Sequence, residues 1–299
     1  MSDRPLTVII PCKDERKNIR LCIESVQGLA DEVLVADSGS TDGTLDIVRS
    51  IGGCRVIQRE YIHSGDFKNW AIPQATHAWV LLVDADERVT PKLRREIVET
   101  LDSSQADGYW IRRENYFLGH RIRFSGWASD CCLRLFRRDL ARYAGDTDHA
   151  EVEIESGRVG RLKHRLQHFT CWSYDQYIRK LDRYTSWQAQ QWHLAGRQPS
   201  LPRLLLNGPA RFLHSYFIRL GFVDGMAGFQ VCALTGFYSF LKQARLWQLV
   251  HGKEQPDPEL AVDAATNEDP CFLSTKRSKV ASRIQHPAVN FEVRRELEC

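Results

Sequence analysis

The sequence predicts an α/β protein: a Rossmann-like, mostly parallel sheet followed by a C-terminal helical region. Three observations carry this. Strand-like and helix-like segments alternate four times in about the first 100 residues, the pattern of a parallel sheet with crossover helices. The strand segments are continuous apolar runs, as expected where both faces of a sheet are covered. Pro11, Asp37 and Asp84–Asp86 fall at the carboxyl ends of these runs, the edge at which open α/β sheets bind ligands.

The elements follow in order. LTVII (6–10) is a short apolar run ending at Pro11 and reads as a buried strand. Residues 15–29 place Ile19, Cys22, Ile23 and Val26 at helical spacing. EVLVAD (32–37) is a second strand. STDGTLDIVRSIGG (40–53) is a turn, a helix with Leu45 and Val48 on one face, and a glycine stop. CRVIQ (54–58) and AWVLLV (78–83) are the third and fourth strands. Thr90 caps the next helix with Pro91 at its first position, and Leu93, Ile97 and Leu101 face inward. Residues 107–170 mix strand-like pieces (GYWIRR, CCLRLFRR, EVEIE) with turns, and a helix is expected from 174 to about 195 with Tyr177, Leu181 and Tyr184 on one stripe.

The stretch 212–247 is apolar, aromatic and dotted with glycine. Its longest uncharged run, 225–241, is near the lower length limit for a spanning helix, and Arg219, Asp224 and Gln230 interrupt or dilute it. It is expected to lie on a membrane surface with Arg203, Arg211, Arg219, Lys242 and Arg245 near lipid phosphates. The plainer alternative is helices packed on the sheet domain. Residues 252–299 are polar and charge-rich and are expected to be a largely disordered tail. The expected division is 1–170, 171–250 and 251–299.

Composition narrows the function classes. At 43% hydrophobic the 299 residues can bury a sizeable core, and the small net charge of +3 implies no general nucleic-acid binder. Nine cysteines without a CxxC pair fit a reducing compartment better than a disulfide framework or a zinc site. MSDRPLTVIIPCKDE carries no secretory apolar core, so a cytoplasmic location is expected.

The chemistry is suggested by VLLVDADERV (80–89), a buried strand that ends in carboxylates. A leaving diphosphate needs its charge neutralised, and Mg²⁺ or Mn²⁺ held by one or two carboxylates does this. In an extended segment residues i and i+2 point to one side, so Asp84 and Asp86 can converge on an ion. Asp37 can accept from a base N–H, the SGSTDG turn lets a nucleotide approach, and Lys68 in GDFKNWA can meet phosphate. Each has a plainer reading: a turn, a helix N-terminus, a solvated charge. Together, in this order, they favour a nucleoside-diphosphate site.

TVIIPCKDE, VLVADSGSTDGT and WVLLVDADE, in that order and spacing, resemble the family 2 inverting glycosyltransferases of GT-A fold over about residues 6–100. The resemblance implies that Pro11 and Glu15 lie near the nucleoside, that Asp37 contacts the base, that Asp84 sits near ribose or metal, and that Asp86 ligates the metal. YFLGHRIRFSGWASDCCLRLFRR, HAEVEIESGRVGRLKHRLQH and YIRKLDRYT are similar to a bacterial subgroup that includes lipopolysaccharide core β-glucosyltransferases, which extends the resemblance to about residue 245. Two departures stand out. Members of that subgroup often show His-Glu where this chain has His149-Ala150. The base that inversion needs is therefore assigned to Glu151 and Asp148 together, with Asp130 as the second candidate and a strand of exposed acids as the structural alternative. Pro73 should shorten or kink the helix after Lys68. His168 is a candidate for the diphosphate or the metal, Arg179, Lys180 and Arg183 for the leaving diphosphate or a solvated face, and Trp127 and Trp172 for sugar stacking or, more simply, core packing.

The expected activity is metal-dependent, inverting transfer of a hexose or related sugar from a nucleoside-diphosphate donor, a UDP-sugar first, to a lipid-linked or envelope glycan. The expected place is the inner face of the plasma membrane. Two rivals are a non-catalytic nucleotide-sugar binding protein and a sugar-1-phosphate nucleotidyltransferase. The latter normally carries a Gly-rich loop after the first strand, and PCKDERKN has no Gly. A dinucleotide dehydrogenase lacks its GxGxxG.

Overall fold

The computed structural model describes residues 5–144 and 151–253. The chain opens with β1 (Leu6–Cys12), α1 (Ile19–Val26), β2 (Glu32–Asp37), α2 (Thr44–Ile51), β3 (Cys54–Gln58), α3 (Ser64–Ala71), β4 (Trp79–Leu82), β5 (Glu87–Val89) and α4 (Pro91–Asp102). There follow β6 (Gly108–Phe117), β7 (His120–Arg121), β8 (Cys131–Arg137), β9 (Ala141–Ala144), β10 (Glu151–Ile154), β11 (Val159–Cys171), α5 (Tyr174–Leu194), α6 (Leu201–Leu213) and α7 (Gly225–His251).

The main sheet runs β3-β2-β1-β4-β8-β6-β11-β5, with β7 beside β6. The β3-β2-β1-β4 half is parallel, as is β6 with β11, whereas β8 and β5 enter antiparallel. β9 and β10 form a separate two-stranded sheet. Alternation along the strands divides the core in two. Val8 and Ile10 of β1 and Leu81 of β4 pack with Ile23 of α1 and Ile97 of α4 on one face. Ile9, Val80 and Leu82 pack with Phe67 of α3 and Tyr143 of β9 on the other. Each such fully buried aliphatic side chain contributes roughly 1.5–3 kcal/mol. Both faces are covered, which is why these strands read as unbroken apolar runs.

One helix expectation is corrected by hydrogen bonds to the segment after β2. The helix expected over 15–29 begins only at Ile19, because residues 14–16 are tied to the loop after β2. Asp14 adopts φ +53°. Its N–H donates to Ser40 Oγ, the N–H of Glu15 to Thr44 Oγ1, and that of Arg16 to Asp42 Oδ2. Pro73 acts as expected: α3 gives way to a 3₁₀ turn, Ile72–Gln74. Lys68 lies ahead of that break. Thr90 caps α4, its Oγ1 accepting the Leu93 N–H at 3.2 Å.

The 212–247 stretch is a hairpin. After α6 come a π turn (His214–Ile218) and a 3₁₀ turn (Gly221–Asp224) before α7. Among the described residues no single helix is long and apolar enough to cross a membrane; the segments Leu201–Ile218 and Gly221–His251 meet at 75°. Asp224 and the backbone at Arg219 tie the hairpin to the connection between β7 and β8. Asp224 Oδ2 accepts the N–H groups of Arg123 (2.9 Å) and Phe124 (2.8 Å), and the Arg219 carbonyl accepts that of Ser125. Of the five basic residues expected at lipid phosphates, two turn inward. Arg245 pairs with Asp182, and Lys242 lies over the rings of Tyr238 and Trp192 at 4.5 and 5.3 Å. Arg203, Arg211 and Arg219 are exposed.

Candidate active site

The sheet register assembles the site. β11 pairs with β5 so that His168 lies opposite Glu87, and with β6 so that His168 also lies opposite Asn115. The turn before β5 closes with the Glu87 N–H on the Asp84 carbonyl at 2.7 Å. Asp84 and Asp86 are therefore turn residues rather than neighbours along an extended strand, and each faces its own set of partners.

Asp86 meets His168 and Lys180. Its Oδ2 is 3.6 Å from His168 Nε2 and 3.2 Å from Lys180 Nζ. Burial alone would raise this carboxyl; His168 first and then Lys180 outweigh it and hold the group well below the carboxylate range. The histidine tautomer follows from its neighbour. The Asn115 amide donates to Trp127 O (2.9 Å) and Asp130 Oδ2 (3.1 Å), which turns its oxygen to His168 Nδ1 at 2.6 Å. Nδ1 is then the donor to Asn115, and Nε2 is the nitrogen that faces Asp86. An imidazole nitrogen beside a carboxylate oxygen, the former oriented by an outer hydrogen bond, is a donor set that suits a divalent ion. Lys180 also donates to the Thr170 carbonyl at 2.9 Å.

Asp84 is claimed by cations. Arg134 pairs with it directly, Arg113 at 3.3 Å and Lys68 at 3.6 Å. Burial would raise its carboxyl, but these three, Arg134 foremost, hold it well below the ordinary value. The third acid, Glu87, is fully buried and binds Arg113 Nε (2.7 Å) and Arg134 Nη2 (3.0 Å). Arg113 also reaches Asp130 at 3.5 Å. Glu87, Arg113 and Arg134 had no role in the sequence reading. The available signal was the arginine inside CCLRLF, since a charge within a buried apolar strand requires a partner.

The other nucleotide candidates line the same edge. Asp37 is fully buried. Its carboxylate accepts from the N–H groups of Gly39 and Ser40 and from Gln58 Nε2. Burial would raise its pKa; these bonds outweigh it and lower it. Asp37 thus orders the SGS turn beside Pro11. Glu15 is held mostly by the Asn18 amide at 2.8 Å, and burial, reinforced by the charge of Asp86, pushes its carboxyl up to about 7. Glu15 thus feels the charge of Asp86, and Lys68 pairs with Asp84 at the same carboxyl edge of the sheet.

The base candidates separate. Asp148 lies outside the described residues. Glu151 is exposed at the start of β10, opposite Ala144, and no hydrogen bond or ion pair links it to the Asp84–Asp86 network among the described residues. Asp130 is inside that network through Arg113 and Asn115. Trp172 stacks on Phe169 at 5.2 Å and donates to Asn18, whereas Trp127 packs edge-on to Phe117. Arg183 lies over Tyr184, and Lys180 of the same basic trio reaches Asp86.

This arrangement meets its match in sequence comparison: the profile of Glycosyl transferase family 2 fits residues 7–165. The chain belongs to that family. As a family 2 glycosyltransferase it is 31% identical over 265 residues to the lipopolysaccharide core biosynthesis glycosyltransferase LpsC of Rhizobium meliloti, covering 86% of this chain and 97% of that protein. It is 29% identical over 257 residues to an uncharacterized glycosyltransferase of Rickettsia bellii, covering 82% and 87%. Among solved structures, S. aureus TarS in complex with UDP is similar at 16% identity and a TM-score of 0.41, over 83% of this chain and 92% of that one. The sheet described above is the family's GT-A sheet, and the protein is a glycosyltransferase.

Proposed function

We propose that this glycosyltransferase inverts the donor's anomeric carbon, uses Mg²⁺ or Mn²⁺, and transfers a sugar from a nucleoside diphosphate to a lipid-linked or envelope glycan. The observation that carries the reading is the convergence of Asp86, His168 and Lys180 beside Lys68 and Asp84 at the carboxyl edge of the sheet. Asp86 and His168 would hold the ion, which when bound neutralises charge on the leaving diphosphate. Lys180 and Lys68 would bind the phosphates. Asp84, fixed by Arg113 and Arg134, would orient the ribose or the donor sugar. Asp37 would hold the turn that meets the base, with Pro11 and Glu15 beside the nucleoside.

Inversion requires one displacement: the acceptor oxygen bonds to the anomeric carbon as the bond to the diphosphate breaks on the opposite face, and a base takes the hydroxyl proton. We assign that base to Asp130 rather than Glu151, because Asn115 bridges Asp130 to Trp127 and Arg113 joins it to Asp84. Asp130→Asn should abolish turnover and spare donor binding; the same result for Glu151→Gln alone would reverse the assignment.

A peripheral position at the inner membrane face is part of the reading. It is supported by exposed Leu205, Leu206, Ile218 and Met226 on a hairpin that also exposes Arg203, Arg211 and Arg219, a composition suited to an anionic lipid surface. The decisive experiment is a panel of nucleotide sugars scored by thermal shift with and without Mn²⁺. A donor bound only by the folded form raises the melting temperature with its occupancy. If Asp86→Ala leaves both that shift and turnover intact, the reading fails.

A further inference from the structure

A cavity of about 830 Å³ lies between α5, α6 and α7, within the range of roughly 300–1,000 Å³ typical of small-molecule sites. It meets the active site at its floor. Thr170 and Lys180 line it, and the same Lys180 ammonium bonds the Thr170 carbonyl and Asp86. Its wall also includes Gly126 and Trp127, the segment whose carbonyl is tied through Asn115 to Asp130. A molecule filling the cavity would therefore touch Lys180, which borders the diphosphate edge, and Trp127, which Asn115 ties to the proposed base.

The lining has a consistent chemistry. Arg211 and Lys242 bring two cations to the lining beside Lys180, which pairs with Asp86, and no carboxylate lines the cavity among the described residues. Such a concentration of one sign selects an anion. Aromatic rings accompany the charges, with Trp192 and Tyr238 beneath Lys242, and flat rings give the faces on which a pyranose stacks. Thr170 Oγ1 is buried without a hydrogen-bond partner among the described residues, a cost that a ligand hydroxyl would remove. We propose that this cavity is the acceptor subsite and that it takes a saccharide bearing a phosphate or carboxylate group. The proposal rests on the glycosyl-transfer reading above and names the substrate class that reading leaves open.

The test uses the full chain and its intrinsic tryptophan fluorescence, titrated with methyl glucoside, methyl glucoside 6-phosphate, methyl glucuronide and inorganic phosphate. Both charged glycosides should bind at least about tenfold more tightly than the neutral one, and that preference should fall with added salt. Arg211→Gln with Lys242→Gln should lose about tenfold toward the charged glycosides alone, and Lys242→Arg should keep the preference. If the double variant does not fold, the salt series and Lys242→Arg carry the test. A stronger response to phosphate or to carboxylate identifies the group. Equal binding of neutral and charged glycosides, or of inorganic phosphate and the phosphoglycoside, overturns the proposal. So does a folded double variant that binds like wild type. A donor shift with Mn²⁺ measured in parallel separates the two readings: if it persists while no glycoside binds, the acceptor proposal falls and the donor site stands.

Discussion

His168 Nε2 faces Asp86 Oδ2 across 3.6 Å, and the ring is set in that pose by Asn115 on its other nitrogen. The two residues are far apart in the chain and are brought together by the antiparallel register of β5 and β11 and the Phe169 N–H on the Asp86 carbonyl. Asn115 therefore acts on any bound ion through the imidazole. Asn115→Ala should weaken Mn²⁺ binding in the presence of UDP by roughly 10–100-fold, the usual loss when an outer hydrogen bond to a ligand histidine is removed. Electron paramagnetic resonance of free Mn²⁺ reads this directly. An unchanged affinity would detach His168 from the ion.

Glu87 is the keystone of the charge network. It is fully buried against Arg113 and Arg134, the latter also nearly buried. Removing one partner of such a group leaves the other charges buried and uncompensated, at about 3–5 kcal/mol. Glu87→Ala should lose that much in urea unfolding. Thr100→Ala, on α4 with its hydroxyl bonded to the Glu96 carbonyl of the same helix, should cost far less. Comparable losses would show that the buried network contributes no special stability.

The first half of the fold was legible because its signals are local. Apolar runs, the Thr90-Pro91 cap and Gly52–Gly53 mark elements without reference to anything distant. Candidate site residues could be named where local signals and ligand chemistry coincide, as at Asp37, Asp84–Asp86, Lys68, His168 and Lys180, but not the contacts that join them. What was not legible depends on register: no feature of residues near 113, 115 or 134 states that β6 and β8 will carry them to the end of β4. The late start of α1 belongs to the same class, since the acceptors that hold residues 14–16 in a turn lie some 26 to 29 positions away. The hairpin's polar residues read as interruptions of an apolar run because their partners, Arg123 and Phe124, are about 100 positions distant.

The hairpin's docking makes its own prediction. A Cβ added at Gly228 would sit 2.0 Å from the carbonyl oxygen of Gly221, so α7 and the preceding turn cannot both hold their places. Gly228→Ala should destabilise the hairpin by about 1–3 kcal/mol as an overpacked contact and loosen the Asp224 anchor. Hydrogen exchange at the Arg123 and Phe124 amides should accelerate in the variant. Unchanged protection there would mean that the hairpin is held by other contacts.

A last prediction concerns acid stability. Glu32 joins three strands' worth of structure: it accepts from Thr7 Oγ1 (2.6 Å), from the Thr76 N–H and hydroxyl (2.8 and 2.9 Å), and from Arg55 Nε (2.8 Å). Burial would raise its carboxyl, but these bonds outweigh it and lower it from the ordinary 4.5 to about 2. A depressed carboxylate pKa contributes stability that is fully present above the unfolded value and is lost as the folded form titrates. The window therefore runs from about pH 4.5 down to about pH 2. At pH 6 Glu32→Gln should be less stable than wild type by about 1–3 kcal/mol, the scale of a charge-assisted hydrogen bond. The gap should narrow steadily when urea midpoints are taken at pH 6, 4 and 3. The glutamine keeps the side chain's shape, so packing is constant across the series and the narrowing isolates the charge. A gap that stays constant with pH would assign the loss to the amide's misplaced donor instead.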